Sequence, residues 1–186
     1  MLASARALLV PTHFETPYLL PGLSSPMSTI RVAWGTATGP TATASYDRAL
    51  AEANVHDFNL VTVSSVIPAD ARLEVVGSAP DLGAVGDQLT VVQGRATRGP
   101  DEAGAAGIGW ARSASGRGIF YEADGPDEAT VRDRIERGLD AGQDLRDWDW
   151  LPRDSDAVVV EADPDPDAYS TAVVVAAYGE SRPILR

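Results

Sequence analysis

The chain has 186 residues, 44% of them apolar, enough for one domain with a sizeable core. It has no cysteine and no lysine, which excludes disulfides, thiolate nucleophiles, zinc–cysteine sites, lysine-anchored pyridoxal and the Gly-Lys-Ser/Thr phosphate loop. A formal net charge of −12 argues against a nucleic-acid partner and suits concentrated salt, where the Debye length shrinks to about 3 Å.

Residues 1–26 read as a disordered tail or a mis-called start, because Pro11, His13 and Glu15 interrupt the short apolar run Met1–Val10 and patterning begins only after Met27. No stretch approaches the ~20 apolar residues of a membrane span, so a cytoplasmic protein without a membrane partner is expected. Ile30, Val32 and Trp34 alternate with Arg31 and Ala33 as a first strand, followed by a Gly/Thr/Pro loop over Gly35–Thr43. Thr43 or Ser45 caps a helix reaching about Asn54, with Tyr46, Ala49, Leu50 and Ala53 on one face. His56 reads as a loop histidine, and two histidines in all are too few for a histidine-rich metal site, so no metal is expected.

The run Asn59-Leu60-Val61-Thr62-Val63-Ser64-Ser65-Val66-Ile67-Pro68 reads as a buried strand that ends at Pro68, since proline gives the ladder no N–H. Adjacent serines at its end are either ordinary strand-end hydroxyls or groups that face a cleft. Arg72–Val76 and Gln88–Thr97 are further strands, and Ala105–Ser113 with Gly118–Ala123 form a hairpin about Gly116-Arg117-Gly118. A helix follows Gly125-Pro126, with Val131, Ile135 and Leu139 at spacing four, Asp127 and Glu128 in its first turn, and an end near Gly142. Trp148 and Trp150 alternate with aspartates as a half-buried strand, and Ala157–Glu161 and Ala168–Tyr178 are two more apolar runs. The order strand–helix–strands–helix–strands gives one α+β domain over residues 27–186 with a layered sheet core.

The block Asn59-Leu60…Ser64-Ser65-Val66-Ile67-Pro68, with Tyr46-Asp47…Ala49-Leu50, Gly118-Ile119-Phe120-Tyr121-Glu122 and the Trp148 segment before a closing apolar strand, resembles the small archaeal pyruvoyl-dependent arginine decarboxylases. The resemblance covers about Ile30 to Tyr178 and departs at Ala69, where the family often carries a second proline. It implies an α/β/β/α sandwich of mostly antiparallel sheets, and a homo-oligomer, trimer or hexamer, with active sites between subunits. It also implies a covalent pyruvoyl group made from Ser65 by cleavage of the Ser64–Ser65 bond.

That chemistry needs particular groups. Ser65 Oγ attacks the Ser64 carbonyl to give an ester. Elimination then releases the chain ending at Ser64, and the dehydroalanine left behind hydrolyses to a ketone. A neutral serine is a weak nucleophile, so the site must assist it with a donor aimed at the developing oxyanion. The resemblance gives that donor role to Asn59, whose plain alternative is satisfying backbone groups at a strand start. The ketone would form a Schiff base with the substrate amine, in place of pyridoxal. Glu122, expected to be buried at the end of Ile119-Phe120-Tyr121, would return a proton to the α-carbon, or is simply a solvated residue at a strand exit. Asp47 would bind the substrate guanidinium in a two-point fork, or serve only its helix N-terminus. Leu50 and Val66 would line the aliphatic part. The implied reaction converts L-arginine to agmatine and CO2. The same chemistry on histidine, ornithine or lysine, and an uncleaved non-catalytic homologue, stay open from the residues alone.

Overall fold

The computed structural model describes residues 28–185, without the side chains of 152–155, so the expectation for residues 1–26 lies outside the described residues. The elements run β1 (Thr29–Gly39), α1 (Ala42–Glu52), β2 (Asn59–Thr62), β3 (Val66–Ile67), β4 (Arg72–Gly77), β5 (Gln88–Arg98), β6 (Gly104–Ser113), β7 (Gly118–Gly125), α2 (Glu128–Asp144), β8 (Trp150–Ala162) and β9 (Tyr169–Tyr178). The fold is α+β, with two helices and two sheets. One sheet has the order β2-β5-β9-β1-β4 and the other β3-β7-β6-β8. The second is antiparallel throughout, whereas the first also holds the parallel pairs β1/β4 and β2/β5. No helix among the described residues is long and apolar enough to cross a membrane.

Alternation along β9 shows how the core is divided. Val173, Val175 and Ala177 pack with Ala49 and Leu50 of α1 and with Ala53 at its C-cap, while Val174 and Ala176 pack with Ile67, Ile108, Trp110 and Phe120 of the second sheet. Successive strand side chains point to opposite faces, so α1 and the second sheet lie on opposite faces of the first. The other face of the second sheet, through Ala105, Ala111 and Ile119, meets Val131, Ile135 and Leu139 of α2. The two sheets pack closely at β5 and β6, where a Cβ on Gly94 would lie 2.4 Å from the Gly107 carbonyl oxygen.

Several predicted boundaries move. The expected loop at Gly35–Thr43 is strand as far as Gly39, because β9 pairs with β1 along the whole length Ile30–Gly39. Glycine is needed at two of those positions for closeness to α1: an added Cβ would sit 2.1 Å from the Ala49 oxygen at Gly35 and 2.5 Å from the Ser45 nitrogen at Gly39. The cap of α1 is Thr41, whose Oγ1 accepts from the Ala44 N–H at 3.1 Å. Ser45 is buried instead, its hydroxyl 2.8 Å from that of Thr171. Asn54, at φ 58°, takes up the left-handed conformation that stops the helix. The hairpin and the buried Val131, Ile135 and Leu139 stand as expected, whereas Asp127, expected in the first turn of α2, is its cap and accepts from the Thr130 N–H. Trp148 lies outside β8 and is packed rather than paired. Its ring lies 5.1 Å from that of Trp150, with the Arg117 and Arg146 guanidinium groups over it.

The predicted buried strand around the serine pair is divided in two. β2 is mostly exposed, because it is an edge strand bonded only to β5, and β3 is the edge of the other sheet. Val63, Ser64 and Ser65 are the crossing between the sheets.

Candidate active site

The crossing is held at each step. The Val63 N–H still bonds the Val91 carbonyl at 3.0 Å, so the chain stays on the first sheet up to the serine pair. The Val66 N–H then donates back to the Ser64 carbonyl at 2.8 Å, closing a three-residue turn about Ser65. The Ser65 carbonyl accepts from the Phe120 N–H of β7 at 2.8 Å. The Tyr178 hydroxyl, at the end of β9, donates to the Val66 carbonyl at 2.9 Å. Within this frame Ser65 Oγ donates to Glu122 Oε2 at 2.8 Å.

The register of β7 explains that meeting. β3 covers only Gly118 and Ile119 of β7, so the strand runs on uncovered past Phe120 and presents Glu122 beside the turn. The expected burial of Glu122 is therefore not found: its side chain is exposed, for want of a neighbouring strand on that side. Burial, and after it the negative charge of Glu122, push the Tyr178 phenol above its ordinary value, so the hydroxyl stays a donor through the neutral range.

Ser64, Ser65, Val66 and Glu122 line one hollow of about 430 Å³, closed on the α2 side by Gly138, Ala141, Gly142 and Leu145. Its volume lies in the range of small-molecule sites, about 300–1,000 Å³. At Gly138 an added Cβ would lie 2.2 Å from the exposed Tyr121 ring, which would have to turn aside. Arg146 also lines the hollow, its Nη1 donating to the Gly142 carbonyl at 2.6 Å. Among the described residues no group of three or more His, Cys, Asp or Glu is gathered that could hold a metal ion.

Three predicted site residues lie elsewhere. Asn59 Nδ2 donates to the Gly86 carbonyl at 2.6 Å, the backbone-satisfying alternative, and so does not address Ser64 within this chain. Asp47 is exposed on α1, on the far side of both sheets from the α2 hollow. Leu50, 6% exposed, is a core residue beneath α1 rather than part of the hollow, because its helix face is the one that packs on the first sheet.

The serine pair, its carboxylate and the missing lysine point one way, and the comparisons decide it. The family model described as pyruvoyl-dependent arginine decarboxylase matches residues 29–183. The chain belongs to that family. Proteins named pyruvoyl-dependent arginine decarboxylase from two strains of Halobacterium salinarum are each 50% identical over 163 residues, which is 86% of this chain and 99% of theirs. The family takes its name from a covalent pyruvoyl group, and the chain has the chemical means to form one, a serine hydroxyl bonded to a carboxylate beside a peptide carbonyl.

Tyr178, Arg146 and the N–H groups of Phe120 and Val66 escaped the reading of the sequence. Tyr178 left a usable signal, a phenol closing the apolar run Ala172–Ala177, where a buried ring needs a partner for its hydroxyl. The backbone donors left none, since any residue supplies an N–H.

Proposed function

We propose that this chain cuts itself between Ser64 and Ser65 and then decarboxylates L-arginine to agmatine and CO2 with a pyruvoyl group derived from Ser65. The observation that carries the reading is the 2.8 Å hydrogen bond from Ser65 Oγ to Glu122, made beside the Ser64 carbonyl in a family defined by that prosthetic group. Glu122 takes the Ser65 hydroxyl proton as Oγ attacks the Ser64 carbonyl carbon, and returns a proton to the departing Ser65 nitrogen as the peptide becomes an ester. Removal of the Ser65 α-proton then expels the Ser64 carboxylate. Water hydrolyses the residue left at position 65 to the keto form, with loss of ammonia. The pyruvoyl group supplies an electron sink for the bond that loses CO2. In turnover Glu122 lies where it can return a proton to the substrate carbon. Val66, 44% exposed in the hollow, lines the substrate's aliphatic part.

The guanidinium partner is Asp47 of a neighbouring copy. Because Asp47 lies across both sheets from the hollow, that pairing calls for an assembly, proposed as a trimer or hexamer, in which the exposed face of α1 meets the next subunit's hollow. Asn59, at the start of β2, holds the Gly86 carbonyl through its amide and so steadies the strand that leads to the serine pair. The working unit is the single domain 27–186, cytoplasmic, with helix, sheet, sheet and helix stacked in that order; the three successive apolar clusters support that layering.

Intact-mass analysis of the purified protein tests the reading. Two pieces are expected, one ending at Ser64 and one beginning with a blocked residue at position 65, while Ser65→Ala stays whole. CO2 release from arginine is expected to exceed that from ornithine, lysine and histidine. A wild-type chain that remains in one piece overturns the proposal.

A further inference from the structure

Attack on the Ser64 carbonyl places negative charge on its oxygen, and a donor must meet that charge. The donor that the structure sets on this oxygen is the Val66 N–H, at 2.8 Å, while the amide of Asn59 is engaged with Gly86 at 2.6 Å. The Val66 N–H and the Ser65 C=O belong to one planar trans peptide, so they point in opposite directions. With the Ser65 oxygen drawn toward the Phe120 N–H at 2.8 Å, the Val66 N–H is turned the other way, onto the bond to be cut. That fixes one peptide plane. The next, between Val66 and Ile67, is fixed by the Tyr178 hydroxyl on the Val66 carbonyl at 2.9 Å.

We propose that Tyr178 is a positioning residue for self-cleavage: by anchoring the Val66 carbonyl it holds the Val66 N–H on the Ser64 carbonyl as the oxyanion donor. The proposal rests on the self-cleavage reading above and assigns the step a donor and a clamp. The balance is closed. The Ser65 Oγ–C bond forms, the Ser64 C–Ser65 N bond breaks, the hydroxyl proton passes by way of Glu122 to the leaving nitrogen, and the transient charge on the Ser64 oxygen is met by the Val66 N–H. Tyr178 gives up no proton. Its ring is held independently of its hydroxyl, edge-on to Phe120 with centroids 6.2 Å apart at 75°, so the hydroxyl can be removed with the ring in place.

The test follows cleavage of freshly synthesised wild-type, Tyr178→Phe and Val66→Pro chains by intact mass against time. Loss of the anchoring hydroxyl is expected to slow the cut about tenfold. Val66→Pro removes the donor itself, and proline is tolerated at the first residue of a strand, so a slowing of about a hundredfold or more is expected. In the uncut Ser65→Ala background, Tyr178→Phe should shift the Val66 amide resonance and weaken its exchange protection while the amides of β6 and α2 keep theirs. A structural role for the ring alone would not move that signal. Tyr178→Phe cleaving at the wild-type rate overturns the proposal, as does slower cleavage with an unchanged Val66 amide, or a Val66→Pro chain that cuts as fast as wild type. A wild-type chain that never cuts is a different result, and it overturns the self-cleavage reading beneath.

Discussion

Glu122→Gln keeps the shape of a side chain that accepts the Ser65 hydroxyl at 2.8 Å and removes its charge and its basicity. The amide oxygen can still receive the hydrogen bond, so the turn about Ser65 and its tie to the Phe120 N–H should survive. What is lost is the group that takes the proton as Oγ attacks. A positioned general base contributes about 10²–10⁴ in rate, and each tenfold is about 1.4 kcal/mol, so the barrier to the cut should rise by roughly 3–5 kcal/mol. The donor on the Ser64 carbonyl stays, so cleavage should be slow rather than absent, and long incubation should still yield the two pieces. The matured variant should then turn arginine over poorly, because in the proposed scheme the same carboxylate returns the proton to the substrate carbon. A time course by intact mass measures the first effect, and CO2 release per pyruvoyl end measures the second. A Glu122→Gln chain that cuts as fast as wild type would refute the assignment of Glu122 to the Ser65 proton. Undiminished turnover in the matured variant would remove it from decarboxylation.

Asp47→Ala should cleave normally and raise KM for arginine by about 10–100-fold, the loss of a charge-assisted hydrogen bond of roughly 1.5–3 kcal/mol. Co-refolding it with Ser65→Ala should restore activity, because one copy supplies the carboxylate and the other the cut serine; mixtures without regained activity would place both in the same chain's site. Gly94→Ala should destabilise the fold by about 1–3 kcal/mol, a fall in Tm of roughly 2–12 °C, because the new methyl lies 2.4 Å from a backbone oxygen of the facing sheet and neither strand can turn aside. Scanning calorimetry checks it, and an unchanged Tm would mean that the sheets are not packed at that separation.

What could be read from the chain followed from periodicity. Val131, Ile135 and Leu139 announce the buried face of α2, and Gly116-Arg117-Gly118 between two apolar runs announces the β6–β7 hairpin, because both depend on local spacing. The run Asn59–Ile67 misled because β-branched residues look the same on an edge strand as in a sheet's interior, and only pairing distinguishes them. Gly35 and Gly39 looked like loop because their purpose is to admit α1, a contact with a helix that begins after both. At the site, Ser64, Ser65 and Glu122 were legible as chemistry, but their meeting depends on how far β3 runs along β7. Leu50 carried an apolar side chain that suits a substrate as well as a core, and the packing of α1 on the first sheet gives it to the core.

The bond proposed to be cut lies on the crossing between the sheets, and the topology governs what would happen to the piece upstream of it. β1 and β2 belong to that piece, yet in the order β2-β5-β9-β1-β4 they are separated by two strands of the other, and β1 is flanked on both sides by it. After such a cut the shorter polypeptide would be threaded through its partner and could not fall away without dismantling the sheet. Before the cut, refolding is a matter for one molecule. Afterwards two molecules must find each other and interleave anew, so a denatured mature enzyme should regain its form slowly and in proportion to concentration, whereas the uncut Ser65→Ala chain should recover at a rate independent of it.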